Sequence, residues 1–352
     1  MHVSVQIQRE KVGFLMRLSN VSKRCKLLAL GAAAVLSLGL MAGCGSSDQS
    51  ASSGSDKNYK IGIVQLVEHN ALDAANKGFV DGLKERGFEE GKNITIDRQN
   101  AQADQSNLQN IAQRFVSAKM DLICAIATPA AQTMANATHD IPIVGTAITD
   151  YEGAKLVASN KEPKGNVTGT SDMNPVKEQI DLLLKIKPDA KTIGTVYCSS
   201  EVNSEVQVKA MKEYAESKGL TVKVATISTV NDIQQAAQSL VGSVDAFYEP
   251  TDNIIASAMP TLIDITNAAK IPVICGEPNM VKAGGLATYG IDYYKLGVQT
   301  GHMAADILEG KKPGSMPIEM AKDLKVTVNK ANAALLGITF PEDVLKDADI
   351  VE

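Results

Sequence analysis

Two stretches decide the fold, because the second repeats the first. Ile61-Gly62-Ile63-Val64-Gln65 is followed by Asn107-Leu108-Gln109-Asn110-Ile111-Ala112-Gln113, then Asp121-Leu122-Ile123-Cys124-Ala125-Ile126-Ala127-Thr128, then Ile141-Pro142-Ile143-Val144. The same order returns as Ile193-Gly194-Thr195-Val196-Tyr197, Asp232-Ile233-Gln234-Gln235-Ala236-Ala237-Gln238, Asp245-Ala246-Phe247-Tyr248-Glu249-Pro250-Thr251 and Ile271-Pro272-Val273-Ile274. Each short apolar run reads as a strand, and each stretch of helical period between them as a crossover helix. Strands alternating with helices give parallel sheets with right-handed crossovers. The duplication predicts an α/β protein of two doubly wound parallel-sheet lobes facing across a cleft, and such clefts hold small molecules.

Outward from these runs the pattern continues. Leu72, Ala75, Phe79 and Leu83 recur at helical spacing, and Gly87 closes that helix. Thr128-Pro129 reads as a helix start, with Thr128 as N-cap and Pro129 in the first turn. Asn166 to Ser171 reads as the first crossing between lobes, and Asn174-Pro175 as the cap of the helix that follows. After the second unit a helix from Tyr293 to Leu308 and a strand from Leu324 to Val328 are left over. The chain is therefore expected to cross back twice, which makes a three-segment hinge. Residues 59–170 plus 291–312 are assigned to the first lobe, and 171–290 plus 323–352 to the second.

The N-terminus reads as a targeting segment. Arg17, Lys23, Arg24 and Lys26 precede an apolar run from Leu27 to Leu40, and Ala42-Gly43 stands before Cys44. That is a secretory signal over residues 1–43, similar to a bacterial lipobox with Met41 in place of the usual Leu. The likeness implies that Cys44 becomes the lipidated first residue. The apolar run is shorter than the roughly 20 residues a spanning helix needs. Residues 44–58, rich in Ser and Gly, then read as a flexible tether holding the protein at a membrane surface.

Composition narrows the function. Taking the segment's six basic residues and one acid from totals of 35 and 40 leaves 29 against 39, a net charge of −10. So acidic a chain lacks the basic faces that nucleic-acid binding requires. Cys124, Cys198 and Cys275 lie at or near strand ends, none in a Cys-x-x-Cys, and read as buried free thiols. Catalytic and phosphate-loop signatures are missing: no Gly-x-Gly-x-x-Gly, no His-Glu-x-x-His and no Gly-x-Ser-x-Gly. Three scattered histidines, His69, His139 and His302, do not make a metal site. Neither cofactor nor metal is expected, and the chain is expected not to be an enzyme.

Parallel α/β sheets bind ligands beyond the carboxyl ends of their strands, so the loops there carry the candidates. Thr128 opens a helix whose first N–H groups, at Ala130 and Ala131, would face an anion such as a ligand carboxylate. A plain water-capped helix end fits the spacing equally well. Asp252 and Asp292 are candidate partners for a ligand ammonium. Asp252 is also placed to cap the next helix, whereas Asp292 has no structural task visible in the sequence. Glu68 and His69 could form a rim pair that meets the other lobe on closure, against the plainer reading of His69 as a solvated loop residue. Tyr151, Tyr197, Tyr248, Tyr289, Tyr293 and Tyr294 gather at strand ends and junctions in a chain without Trp. They could stack on a flat ligand or simply pack there.

Four stretches together resemble the ABC transporter substrate-binding proteins of the tryptophan/tyrosine-uptake type. They are Gln65-Leu66-Val67-Glu68-His69-Asn70-Ala71-Leu72-Asp73-Ala74-Ala75, Ala125-Ile126-Ala127-Thr128-Pro129-Ala130-Ala131-Gln132, Pro250-Thr251-Asp252-Asn253 and Gly290-Ile291-Asp292-Tyr293-Tyr294-Lys295-Leu296-Gly297. The resemblance implies a type I periplasmic-binding-protein fold that closes on its ligand, and an aromatic amino acid (tryptophan, tyrosine or phenylalanine) as that ligand. By the same resemblance Thr128 and the N–H groups after it bind the carboxylate, and Asp252 and Asp292 the ammonium. Glu68, Ser171 and Asn203 are further pocket candidates. The expected protein is a monomeric, lipid-anchored, extracytoplasmic receptor that delivers its solute to ABC permease subunits in the membrane. The same fold holding a nucleoside or a branched-chain amino acid is one rival; a surface-anchored enzyme is another, and the loops offer it no activated nucleophile.

Overall fold

The computed structural model describes residues 57–322 and 324–352. The signal, Cys44 and most of the tether lie outside the described residues. The first lobe runs β1 (Tyr59–Gln65), α1 (Asn70–Glu85), β2 (Ile94–Asn100), α2 (Gln105–Ala118), β3 (Leu122–Ile126), α3 (Thr128–Ala137), β4 (Ile143–Ile148) and β5 (Val167–Ser171). The second runs α4 (Val176–Ile186), β6 (Thr192–Cys198), α5 (Val202–Ser217), β7 (Thr221–Ile227), α6 (Ile233–Leu240), β8 (Ala246–Glu249), α7 (Asn253–Ser257), α8 (Met259–Ala268), β9 (Val273–Cys275), α9 (Pro278–Lys282) and β10 (Ala287–Gly290). The chain then returns to the first lobe for α10 (Tyr293–Leu308) and β11 (Glu319–Met320). It ends in the second with β12 (Lys325–Asn329), α11 (Lys330–Leu336), α12 (Glu342–Leu345) and β13 (Asp349–Val351).

The sheets order as β11-β5-β4-β3-β1-β2 and β13-β12-β10-β9-β8-β6-β7. Their ladders are parallel except β10 with β12, where Ala287 faces Val328 and Gly290 faces Lys325. The reversal has a simple cause. β10 ends at the hinge, and β12 enters its sheet from the hinge, so the two must run oppositely. Three crossings join the lobes: after Ser171, after Gly290 and after Met320.

Three expectations change here. Asn166 to Ser171 is not a crossing: Val167–Ser171 is a strand paired with β4, and the crossing starts at Asp172. The pairing of β11 with β5 keeps the chain in the first lobe beyond residue 312. Asn174 likewise does not cap α4; Pro175 holds that position and no side chain bonds there.

Alternation along the strands builds the cores. In the second lobe Ala246, Tyr248 and Ile274 join one apolar cluster, while Phe247, Val273 and Cys275 join another on the opposite face. Ile61, Ile63, Val64, Phe79 and Phe115 are buried in the first lobe. A Cβ on Gly62 would stand 2.7 Å from the Phe115 ring, so the strand carries glycine there. Helices α1 and α10 touch backbone to backbone: a Cβ on Gly78 would meet the Tyr294 carbonyl oxygen at 2.1 Å, and one on Gly297 the Ala75 oxygen at 2.1 Å. That close approach fixes the start of α10 at the hinge, beside the carboxyl ends of the strands. Among the described residues no helix is long and apolar enough to cross a membrane.

Candidate functional site

The loops beyond the strand ends of both lobes meet in a seam lined by His69, Ala71, Leu72, Ala147, Thr149 and Asp172, and from the second lobe by Asn203, Thr251, Asp252, Asn253, Ala256 and Glu277, with Tyr293 at the hinge. The seam is nearly filled by its own side chains, leaving a cavity of only about 10 Å³, too small for an amino acid until the lobes part. Hydrogen bonds cross it. His69 Nε2 lies 3.2 Å from Asn253 Oδ1, and Gln207 Nε2 donates to Thr149 Oγ1 at 3.3 Å. Because Asn253 Nδ2 donates to Glu201, its Oδ1 is the acceptor and His69 Nε2 the donor. Burial holds the His69 imidazole below its ordinary value, against its bond to Asn253 and the charge of Asp73. The lobes are therefore closed, and a ligand enters only when they part.

A buried chain of bonds ties the seam to the hinge. Tyr293 Oη donates to Asp172 Oδ2 at 2.6 Å, and Thr149 Oγ1 donates to Asp172 Oδ1 at 3.0 Å. Gln207 Nε2 also donates to Thr251 Oγ1 at 2.6 Å, and Gln207 Oε1 accepts the Thr251 N–H at 3.2 Å. Asp172 stands on the first crossing and Tyr293 just after the second, so their bond braces two hinge segments. Burial lifts the Asp172 carboxyl, while the bonds from Tyr293 and Thr149 oppose the lift.

The second lobe adds more buried acids. Glu201 accepts the Asn253 and Ile254 N–H groups, at 3.1 and 3.2 Å, and the Asn203 amide at 2.9 Å. Burial, then the nearby Asp252, pushes its carboxyl up to about 8. Glu277 caps α9 through the Asn279 and Met280 N–H groups, at 2.6 and 2.8 Å, and burial pushes it up to about 7. No Lys or Arg stands among the seam-lining residues. The site is thus a cluster of buried carboxyls with no Lys or Arg in its lining, and the cation that bears on Glu277, Lys282, acts only through space.

The residues singled out in the sequence divide. Asn203 and Asp252 line the seam. Asp252 is fully buried and already caps α7 through the Ile255 N–H at 2.9 Å, while its other oxygen accepts the Cys198 N–H and the Ser204 hydroxyl, both at 2.7 Å. Its structural task is therefore real, and burial raises its carboxyl. Ser171 is buried one residue before Asp172, with its hydroxyl on the Thr149 carbonyl at 2.8 Å. Glu68 is exposed on the rim, and its neighbour His69 makes the contact between lobes.

Asp292 is corrected: it is exposed, caps α10 through the Lys295 N–H at 3.1 Å, and faces an outer groove rather than the seam. The side chain aimed into the seam is its neighbour Tyr293. A signal was present, since Tyr293, Leu296, Gly297 and Thr300 share one helical face, all buried. The helix start near Thr128 is also corrected. Ala127 is the N-cap, at φ +84°, and Thr128 is the first helical residue. The Ala131 N–H donates to the Ala127 carbonyl at 3.1 Å, so the N–H groups left without helical partners are those of Thr128 and Ala130. These residues are buried outside the seam's lining, and Thr128 Oγ1 has no partner.

Residues 60–352 match the family described as ABC transporter substrate binding protein. The chain belongs to that family. A relative named tyrosine-binding protein, from Clostridioides difficile (strain R20291), is 45% identical over 314 residues, 88% of this chain and 91% of its own. The substrate-binding protein has two informative structural neighbours. An ABC domain from Streptococcus pneumonia solved in complex with L-Trp is 43% identical, covers 84% of this chain and 100% of its own, and superposes with a TM-score of 0.82. A ligand-free, open substrate-binding protein with adhesive properties from Clostridium difficile is 48% identical, covers 84% and 99%, and reaches 0.65. The protein is thus nearer in shape to the complex than to the open form, although nearer in sequence to the latter, which agrees with the bonds across its seam. The fold is that of type I periplasmic-binding proteins. Family membership implies a small-molecule ligand, permease partners and an extracytoplasmic location.

Proposed function

We propose that the protein captures an α-amino acid with an aromatic side chain, of the tyrosine or tryptophan kind, and delivers it to its permease. The observation that carries this reading is the seam itself: Asp172, Asp252 and Glu277 line it, and no Lys or Arg is among its lining residues. A cationic group is what such a pocket lacks, and an α-amino acid brings one on a carbon next to a carboxylate. The carboxylate would lie at the start of α3, against Thr128 Oγ1 and the Ala130 N–H, as the lobes close. The named binding of the tyrosine and L-Trp relatives supports the aromatic class. Ammonium recognition passes from Asp292 to Asp172 and Glu277, with Asp252 as a helix cap at the same wall. Asn203 and Ser171 complete the polar wall, and Glu68 remains on the rim.

Closure follows from differential affinity, because the ligand touches both lobes only when they are shut. The two lobes, residues 59–171 with 293–320 and 176–290 with 325–352, act as the moving bodies. Binding without bond chemistry is the whole activity. A lipid on Cys44 and the Ser/Gly tether would hold the monomer at the outer membrane surface.

The chain has no Trp, so the protein contributes no indole and all indole emission comes from the added tryptophan. Titrating tryptophan against the purified protein should shift and enhance indole emission, with tyrosine and phenylalanine as competitors. No spectral change with any of the three, alongside tight binding of a nucleoside or leucine in a thermal-shift panel, would overturn the aromatic reading.

A further inference from the structure

We propose that Asn174, on the first hinge crossing, is a ligand-binding residue whose amide pairs with the charged end of the bound amino acid. Among the described residues six buried side-chain atoms lack a hydrogen-bond partner, and two of them, Nδ2 and Oδ1, belong to Asn174. The residue is only 5% exposed. A primary amide taken out of water with neither end satisfied is costly, and Asn174 is the residue of the six-atom set that lacks partners at both ends, so it calls for one from outside the chain.

The backbone holds Asn174 in place. Pro175 follows it at φ −77° and ψ 70°, and the Val176 N–H bonds the Asn174 carbonyl at 2.9 Å, an inverse γ-turn. Proline restricts the residue before it to extended backbone. Asn174 is thereby fixed two residues beyond Asp172, which lines the seam, on the segment that bends when the lobes part.

Two further orphan atoms, one at the start of α3 and one in the seam, fit the same partner. Thr128 Oγ1 is a free donor at the start of α3. Asn203 Oδ1 is a free acceptor in the seam, its orientation set by Nδ2, which donates to Glu201 at 2.9 Å. With Asn174 the set offers donors and acceptors together, which is what a zwitterion asks for. Asn174 Nδ2 donates to the carboxylate while Oδ1 accepts from the ammonium. The inference rests on the amino-acid reading above.

Calorimetry on wild-type protein and Asn174→Ala, with tyrosine and tryptophan as probes, separates the two. Wild-type protein that binds neither sinks the amino-acid reading itself. If wild type binds, Asn174→Ala should weaken binding by about tenfold or more, while the ligand-free melting temperature holds or rises because an unsatisfied amide has gone. Affinity within threefold of wild type overturns the assignment, and so does a lowered ligand-free melting temperature, which marks a structural role. Should the variant fail to fold, the wild-type side-chain amide serves. Its NMR resonance should shift and its protons gain exchange protection on adding ligand; an unmoved resonance overturns the inference.

Discussion

Affinity for an amino acid should rise with pH across the neutral range, because a seam carboxyl must ionise to meet the ammonium. Glu277 lines the seam, and burial lifts it from 4.5 to about 7. At pH 6 about one copy in eleven carries the anion there, and at pH 8 about ten in eleven do. A ligand that binds the anionic form alone therefore binds about tenfold more tightly at pH 8 than at pH 6. The amino acid's own groups titrate little in this window. Linkage sets the sign: the ligand favours the deprotonated carboxyl, so binding releases about half a proton at pH 7. Calorimetry in two buffers of different ionisation enthalpy reads that release directly. Glu277→Gln removes that titration and keeps an oxygen to accept the Met280 N–H, so its profile should be flatter than the wild type's, with only the other buried acids left to contribute. A wild-type affinity independent of pH between 6 and 8, or proton uptake on binding, would refute the placement of the ammonium beside Glu277.

The ligand-free protein should lose stability over much the same range. Glu201 titrates at about 8 when folded against 4.5 unfolded, so between those values the unfolded chain binds fewer protons and stability falls as pH rises. Scanning calorimetry should give a lower melting temperature at pH 8 than at pH 5; a higher one contradicts the burial of these acids. His69→Ala removes the bond to Asn253 across the seam and should weaken ligand binding roughly two- to tenfold, with X-ray scattering showing a more open ligand-free form. Unchanged scattering and affinity would leave that bond without a role in closure. Gly78→Ala pushes a methyl into the Tyr294 carbonyl and should cost about 1–3 kcal/mol or more in chemical denaturation. Cys44→Ser should move the protein from the membrane fraction to the soluble one, and continued lipid labelling would reject the anchor.

The repeated apolar runs made the fold legible, because buried parallel strands leave continuous Val, Ile and Leu stretches in the chain. The strand β11 escaped notice because two exposed residues, Glu319 and Met320, carry no pattern. β5 was misread as a crossing because Val167-Thr168-Gly169-Thr170-Ser171 is polar in composition, yet all five residues are buried. Thr170 Oγ1 sits 2.7 Å from Thr300 Oγ1, and Thr168 Oγ1 donates to the Met316 carbonyl at 2.8 Å, so later segments satisfy its hydroxyls. The cleft loops were likewise legible from the strand ends, but the choice within each loop was not. Asp292 and Tyr293 are adjacent, and only the packing of α10 on α1 decides which enters the seam. At the first junction the sequence offers Ser171-Asp172 without choosing between them, because the partners of Asp172, Thr149 and Tyr293, lie 23 and 121 residues away.

The most direct measurement is a crystal structure of the protein grown with tyrosine or tryptophan. The ammonium should lie within hydrogen-bond distance of Asp172 or Glu277, the carboxylate should face the start of α3, and the ring should sit between the lobes. An amino acid seated in the outer groove beside Asp292, with the seam still shut on itself, would contradict the interlobe site.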